Sequence, residues 1–505
     1  MTGKATVTRG PAPWSRPDGP SDGGSFLGVM LAVFLVYANI PVVAADQGWI
    51  PTEAAALVAL FFLPALGHHL VVRGERLRLD RTFALMTAFL AVMLVSACFA
   101  RDVPLALAHI GGYAAEGLVL FVLVLNTVRD RPALVRLLWT VLGAATFLSL
   151  LTLYQEITRD DTREFGGLAS RQLEHLEDAP VREADRAEGM RLEQRSHGPM
   201  NDANRYAQIL LVAASFALAF VWTYRGRPRA VAGAAGLAIL AGLLLTYSRG
   251  AFLTLVLLVL LLGALRYVSR KRLAVALLVG TLLVPLVAPA YMDRVHTIAG
   301  AMGLVTTDAE VEPDGPTRGR TTQMLAAGLA FADHPVLGVG PGHYAPHYSV
   351  RYQQRPEIAF RELDEPRRAH NLYLEMAAET GTVGLAIFLA IPGLLLRELW
   401  RIRRRARGIR PEVERMAMGF ILAILSYLGT GVFLHLAFQR YYWLLVGLSA
   451  AAVHVLHREL AQNRRTPSPT PRVGEPRATA DGSGPGGRPS APSILAPTGS
   501  RQEGA

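Results

Sequence analysis

The sequence predicts an all-α, polytopic integral membrane protein with about twelve spans. Three observations lead there. Of 505 residues, 51% are hydrophobic, and they gather in blocks of about 20 residues, the length a helix needs to cross a bilayer. The connections between blocks alternate between arginine-rich and arginine-poor. Finally, only Ser248, Arg249 and Gly250 separate the apolar runs 231–247 and 251–265. A charge there is costly unless it has a partner.

The expected spans, in order, are 26–45, 50–72, 83–100, 104–126, 133–154, 204–222, 231–247, 250–266, 273–292, 371–397, 416–438 and 441–457. Residues 1–25 are polar and rich in Pro and Gly. They do not resemble a cleaved signal peptide, so the first span reads as an uncleaved anchor. Spans 26–154 form an N-terminal membrane group, 204–397 a central domain, and 398–461 a C-terminal group. From residue 462 to 505 the tail is rich in Pro, Gly, Ser, Thr and Arg and reads as cytoplasmic disorder.

Charge orients these spans. Arg73, Arg76, Arg78 and Arg81 follow the second span, Arg129 and Arg131 the fourth, and Arg225, Arg227 and Arg229 the sixth. Arg266, Arg270, Lys271 and Arg272 follow the eighth, and Arg401, Arg403, Arg404, Arg405, Arg407 and Arg410 the tenth. Basic residues in short loops stay cytoplasmic, so both termini are expected inside. The long connections 155–203 and 293–370 are expected outside, the first with a helical stretch around 170–195 and the second with a short helix at 320–333. The net charge of +11 is largely this loop signal and does not argue for nucleic acid. Cys98 is the single cysteine, which excludes an intramolecular disulfide and a cysteine-based metal site. No repeat of the kind that marks transporter halves is evident.

Polar residues with chemical potential cluster on the expected outer side. Arg249 is a permanently charged, multidentate donor suited to phosphate; the plainer alternative is an arginine snorkelling to headgroups. Arg318 and Arg320 precede the short helix. A turn with Asp333, His334 and Pro335 follows it, and Gly338, Gly340 and Gly342 could let backbone approach a ligand or simply form a tight turn. No Walker lysine follows, so this is not a nucleotide loop. His370 opens the tenth span with Asn371, a helix cap by residue type, and imidazole is readily poised for proton transfer. Glu375 and Glu379 lie further along that helix. Before the sixth span stand His197, Asn201, Asp202 and Asn204, of which any of the last three could cap the helix. Glu53 and Glu116 fall inside spans, where structural pairing serves as well as function. His68 and His69 are given no role. No acidic pair or His/Asp/Glu cluster at metal spacing is apparent outside.

Residues 198–395 resemble the O-antigen ligase and polymerase superfamily, the membrane proteins with a Wzy-type C-terminal domain. The resemblance rests on TYSRGAF at 246–252, RTTQMLAAGLAFADHPVLGVGPGHY at 320–344 and HNLYLEMAAETGTVGL at 370–385, with GPMNDANRYAQ at 198–208 similar to an Asn-containing segment of the family. It implies a GT-C-like, metal-independent, inverting glycosyltransferase of the inner membrane, without cofactor, its active site facing the periplasm. The donor implied is a glycan on undecaprenyl diphosphate, and the acceptor is lipid A-core in a ligase or another glycan repeat in a polymerase. A protein hydroxyl is a further possibility within the superfamily. Carried over residue by residue, Arg249 and Arg320 would hold the diphosphate and His370 would sit at the acceptor hydroxyl. Arg320 is chosen over Arg318 because it directly precedes the helix. Arg318, Asn371, Asn204 and Gly340 would support them. Readings of another class are an anion transporter lined by Arg249 and Arg320, and a structural partner in an envelope assembly.

Overall fold

The computed structural model describes residues 23–160, 162–175, 192–269, 271, 274, 315–358, 365–436 and 439–462. Apart from Gln462 these belong to one compact unit, Met1–Ala461. The expected span 273–292, the beginning of the loop 293–370, most of the N-terminal segment and the tail from 463 lie outside the described residues. So do the side chains of Glu53 and Arg318.

The architecture is an all-α membrane bundle. Its helices are α1 (Gly23–Tyr37), α2 (Ile40–Asp46), α3 (Leu57–Val72), α4 (Arg81–Ala97), α5 (Val103–Thr127), α6 (Arg131–Thr158), α7 (Ala203–Thr223), α8 (Arg227–Leu244), α9 (Arg249–Ala264), α10 (Gly315–Asp333), α11 (Leu372–Ala406), α12 (Pro411–Thr430) and α13 (Gln439–Gln462). Among the described residues seven are long and apolar enough to cross a membrane, or eight if α1 and α2 form one broken span; α3, α4 and α9 are shorter apolar helices. Eleven of the twelve expected spans therefore coincide with helices, though not all at full spanning length.

Two expectations need correction. The first span is not continuous: α1 and α2 are bent by 53°. Asn39 sits at the break with φ 59°, a left-handed conformation that Asn tolerates better than most residues, and its Nδ2 donates to Pro199 O at 2.7 Å. The second concerns 170–195. Its ends form an antiparallel pair, β1 (Arg171–His175) and β2 (Leu192–Ser196), with Arg171 opposite Ser196. The charged residues there suit a helix by propensity, but tertiary bonds override it. Ser196 N donates to Leu245 O at 3.1 Å and His197 N to Ser170 O at 2.9 Å, which holds the chain extended against the turn after α8.

Side-chain caps set several helix starts. Asp80, Asp102, Asp130 and Asp202 accept from backbone N–H groups of α4, α5, α6 and α7, satisfying donors that a helix start leaves open. α7 and α12 are the most enclosed spans. Small residues allow their close approach, since a Cβ on Gly419 would fall 2.5 Å from that of Ala219. Ser215 and Ser426 share a hydrogen bond of 3.0 Å and Gln208 Nε2 donates to Thr430 Oγ1 at 2.8 Å, the pairing expected of polar groups inside a membrane bundle.

Contacts sort the loops into two ends. At one, Arg78 N donates to Asn126 Oδ1 at 2.7 Å, His454 meets Asp80 at 3.1 Å, and Tyr267 donates to Glu414 at 2.9 Å. This end holds the arginine-rich connections. At the other, Ser96 Oγ donates to Leu337 O at 2.7 Å, Asp102 N to His343 Nε2 at 3.0 Å, and Asn371 Nδ2 to Val432 O at 2.9 Å. Arg249, the glycine turn and His370 share that second end.

Candidate active site

The start of α11 is the centre of this end. Asn371 caps it: Oδ1 accepts from Tyr373 N and Leu374 N at 3.0 and 2.9 Å. Its Nδ2 donates to Val432 O, and Leu372 N donates to Gly431 O at 2.8 Å. The first turn of α11 is thus stitched to the chain leaving α12. His370, just before the cap, has φ 47°, a left-handed conformation uncommon for a residue with a Cβ and often found where the surroundings require it. Arg368 enforces the approach. Its Nε donates to Glu375 Oε1 at 2.9 Å and its Nη2 to Leu436 O at 3.3 Å, while Ala369 N donates to Glu375 Oε2 at 3.1 Å. Glu375 is 1% exposed, so its charge requires this pairing. Burial pulls the Arg368 pKa down, but Glu375 outweighs it and holds the guanidinium above its ordinary value.

A second histidine faces the first. The rings of His370 and His435 lie 5.4 Å apart at 88°. His435 Nε2 meets Arg205 Nη2. A guanidinium only donates, so Nε2 accepts and the ring proton is assigned to Nδ1. Nδ1 is buried and has no hydrogen-bond partner among the described residues. Burial, then Arg368, Arg205 and His370, push the His435 pKa well below its ordinary value; the ring stays neutral.

From Arg205 the network runs to the turn that precedes Arg249. Arg205 Nε donates to Asp202 Oδ2 at 2.7 Å, and Asp202 caps α7 through Asn204 N and Arg205 N. Burial raises the Asp202 pKa, but Arg205 and then Arg195 more than reverse this and hold it below the carboxylate range. Asn204 Oδ1 accepts from Arg195 Nη2 at 3.1 Å, and Arg195 Nε donates to Thr246 O at 3.0 Å. The hairpin therefore brings Arg195 against the turn that leads into α9. Ser248 caps α9, accepting from Ala251 N, and half-buried Arg249 is the helix's first residue. A Cβ on Gly250 would meet the Phe433 ring at 2.7 Å. Arg249 and His370 are thus mounted on the same short segment, 431–436.

Arg320 reaches this end through α10, which packs along the first turns of α11. Ala326, Ala327 and Ala330 form a small core with Tyr344, Tyr352, Ala378 and Ala369, the residue before His370. Tyr344 donates to Gln323 O at 3.1 Å, one turn beyond Arg320.

The expected helix at 320–333 is present and begins earlier, at Gly315. Gly338, Gly340 and Gly342 all have positive φ, and of the two readings, close approach to a ligand or a tight turn, their packing fits the turn. Their Cβ directions are filled by protein: the Glu379 backbone at 2.3 Å, Ala100 at 2.7 Å and His109 at 2.1 Å, respectively. The glycines let the turn bond edge-on to α11, with Val339 N donating to Ala378 O at 2.8 Å and Gly340 N to Glu379 O at 3.1 Å. Gly340 thus packs the turn between Ala100 and α11.

Of the residues singled out in the sequence, the structure joins His370, Asn371 and Asn204 in one network, sets Arg249 beside it and attaches Arg320 through α10. Glu116 pairs with Arg440 at 3.5 Å, a structural use. Arg195, Arg205, Arg368 and His435 carry the network and are not evident in the sequence. His435 falls within a run resembling a span, and the arginines resemble ordinary loop charge. Among the described residues no three His, Cys, Asp or Glu side chains are grouped to hold a metal ion. What the arrangement offers is several guanidinium groups beside two imidazoles, of which that of His435 is held neutral.

No curated protein matches the chain. Residues 234–389 match the family described as O-Antigen ligase, a stretch that contains Arg249, Arg320, the glycine turn, Arg368 and His370 but neither Arg195, Arg205 nor His435. Over that stretch the chain is similar to the O-antigen ligase family.

Proposed function

We propose that the protein is an O-antigen ligase-like glycosyltransferase of cell-surface polysaccharide synthesis, moving a glycan from an undecaprenyl-diphosphate donor to an acceptor hydroxyl on the periplasmic side of the inner membrane. One observation carries the reading: His370, held in a left-handed conformation, shares a loop platform with Arg249 at the end of the bundle away from the basic loops. In the mechanism, Arg249 and Arg320 bind the donor diphosphate. The acceptor oxygen attacks the anomeric carbon from the face opposite the diphosphate, the carbon–oxygen bond to phosphate breaks, and the configuration inverts. The acceptor proton passes to His370, and the charge growing on the diphosphate is met by the two guanidinium groups, donors already in place as charge develops. Neutral His435 packs against His370 and positions it without opposing its protonation.

The test is complementation of a deletion strain. Arg249→Ala and Arg320→Ala should each lower glycan transfer about 10²-fold or more, with the protein still in the membrane at normal levels. Transfer at the unsubstituted rate in either variant removes that arginine from the mechanism. The glycan that accumulates in the deletion strain identifies the acceptor. Long carrier-linked chains mean a ligase, as proposed, whereas single unpolymerised repeats mean a polymerase.

A further inference from the structure

At the opposite, basic end, a cleft of about 520 Å³ opens between the end of α9 and the last turns of α11, lined by Ala264, Leu265, Arg266, Trp400, Arg403, Arg404 and Arg407. We propose that it binds the phosphate headgroup of an anionic phospholipid. Residues 400, 403, 404 and 407 fall on one face of α11 at helical spacing, so three guanidinium groups and an indole point into one space. Arg403 is built in: it is 5% exposed, its Nε donates to Tyr267 Oη at 2.8 Å, and its guanidinium lies 4.2 Å from the Trp400 ring centroid and 5.1 Å from that of Tyr267. Tyr267 in turn donates to Glu414 at 2.9 Å, which fixes the phenol without placing a carboxylate on Arg403.

Arg266 contributes a second sign of construction. α9 closes with Arg266 N donating to Gly263 O at 3.0 Å and Tyr267 N to Leu262 O at 3.0 Å, the paired bonds of a Schellman ending, whose left-handed position usually holds glycine. Here arginine occupies it at φ 59°. The last carbonyls are already served by backbone, so the side chain is not needed to cap them. Among the described residues none of the four arginines makes an ion pair with a carboxylate, whereas neighbouring Arg401 and Arg410 pair with Glu398 and Glu412 at 2.6 and 3.7 Å. Four like charges in one cleft repel unless an anion joins them. Orientation of the chain by basic loops needs positive residues near the membrane, but it does not need them clamped, strained and facing one another. A lipid fits better than a soluble phosphate because apolar surface continues from the cleft: Leu257 and Leu260 of α9 are exposed on the face that ends at Ala264, a path for acyl chains. Basic pockets between spans are known to take such headgroups.

Native mass spectrometry of the detergent-solubilised full chain, titrated with cardiolipin, phosphatidylglycerol or phosphatidylethanolamine, tests this. The exposed pair R404Q/R407Q should lower the occupancy of the two anionic lipids roughly tenfold or more, leaving phosphatidylethanolamine adducts unchanged. The charge-matched pair R401Q/R405Q, off the cleft lining, should retain them. Equal loss in both pairs, or no loss in either, overturns the site. Displacement of bound lipid by millimolar inorganic diphosphate overturns the lipid assignment in favour of a soluble anion.

Discussion

The proton uptake proposed for His370 would be served by a neighbour that stays uncharged. His435 has that character: Arg205 holds its Nε2, and Arg368 and His370 stand nearby, with Asp202 and Glu375 behind the two arginines. The sign of the linkage follows. A buried imidazole with a depressed pKa binds fewer protons folded than unfolded, so its contribution to stability is full above the ordinary value near 6.5 and is lost as pH falls below it toward the folded pKa. The slope is at most about 1.4 kcal/mol per pH unit. His435→Gln, whose amide oxygen can still accept from Arg205, should flatten the acid limb of unfolding temperature against pH between about 6.5 and 5; an unchanged limb assigns the dependence elsewhere. At this scale Asn371 is legible in the sequence, because an amide before an apolar run has one common use. His435 is not. What marks it chemically are contacts with Arg205 and His370, 230 and 65 residues away in the chain.

The glycine turn and α11 form one unit. α11 breaks at Gly381, with φ 67° and ψ −169°, and a Cβ there would meet Val336 O at 2.1 Å. Thr382 N and Thr382 Oγ1 both donate to Pro335 O at 2.8 Å. The helix opens where the turn enters, and the two exchange backbone bonds. Gly338→Ala puts a methyl group against the Glu379 backbone at a positive φ, so it should destabilise the protein by about 3 kcal/mol or more and lower the amount recovered folded from membranes. A variant as stable as the parent would show that the turn is not locked to α11. Spacing of glycines makes the turn legible, but not its partner: whether a glycine faces a ligand or another backbone is a tertiary fact. Residues 171–175 and 192–196 show the same limit. Their composition suits helix, and bonds from Ser196 and His197 to distant backbone make strands of them.

On the scale of the whole molecule, charge alternation carries most of the information. The loops grouped by sequence as basic, 73–81, 127–131, 224–229, 265–269 and 401–410, meet at one end of the bundle, and the candidate site lies at the other. The prediction is that reporter fusions at 77 and 408 behave as cytoplasmic and fusions at 166 and 355 as periplasmic; a cytoplasmic report at 355 would reverse the proposed orientation. The break between α1 and α2 escapes hydropathy because Asn39 is one polar residue in an otherwise apolar run, and its partner, Pro199, lies 160 residues away. Glycan transfer from a lipid diphosphate at the His370 end can be measured as single-turnover transfer in proteoliposomes with a defined carrier-linked glycan. His370→Ala should bind the donor as the unsubstituted protein does yet transfer about 10²-fold more slowly or worse; transfer by that variant at the unsubstituted rate would contradict the account.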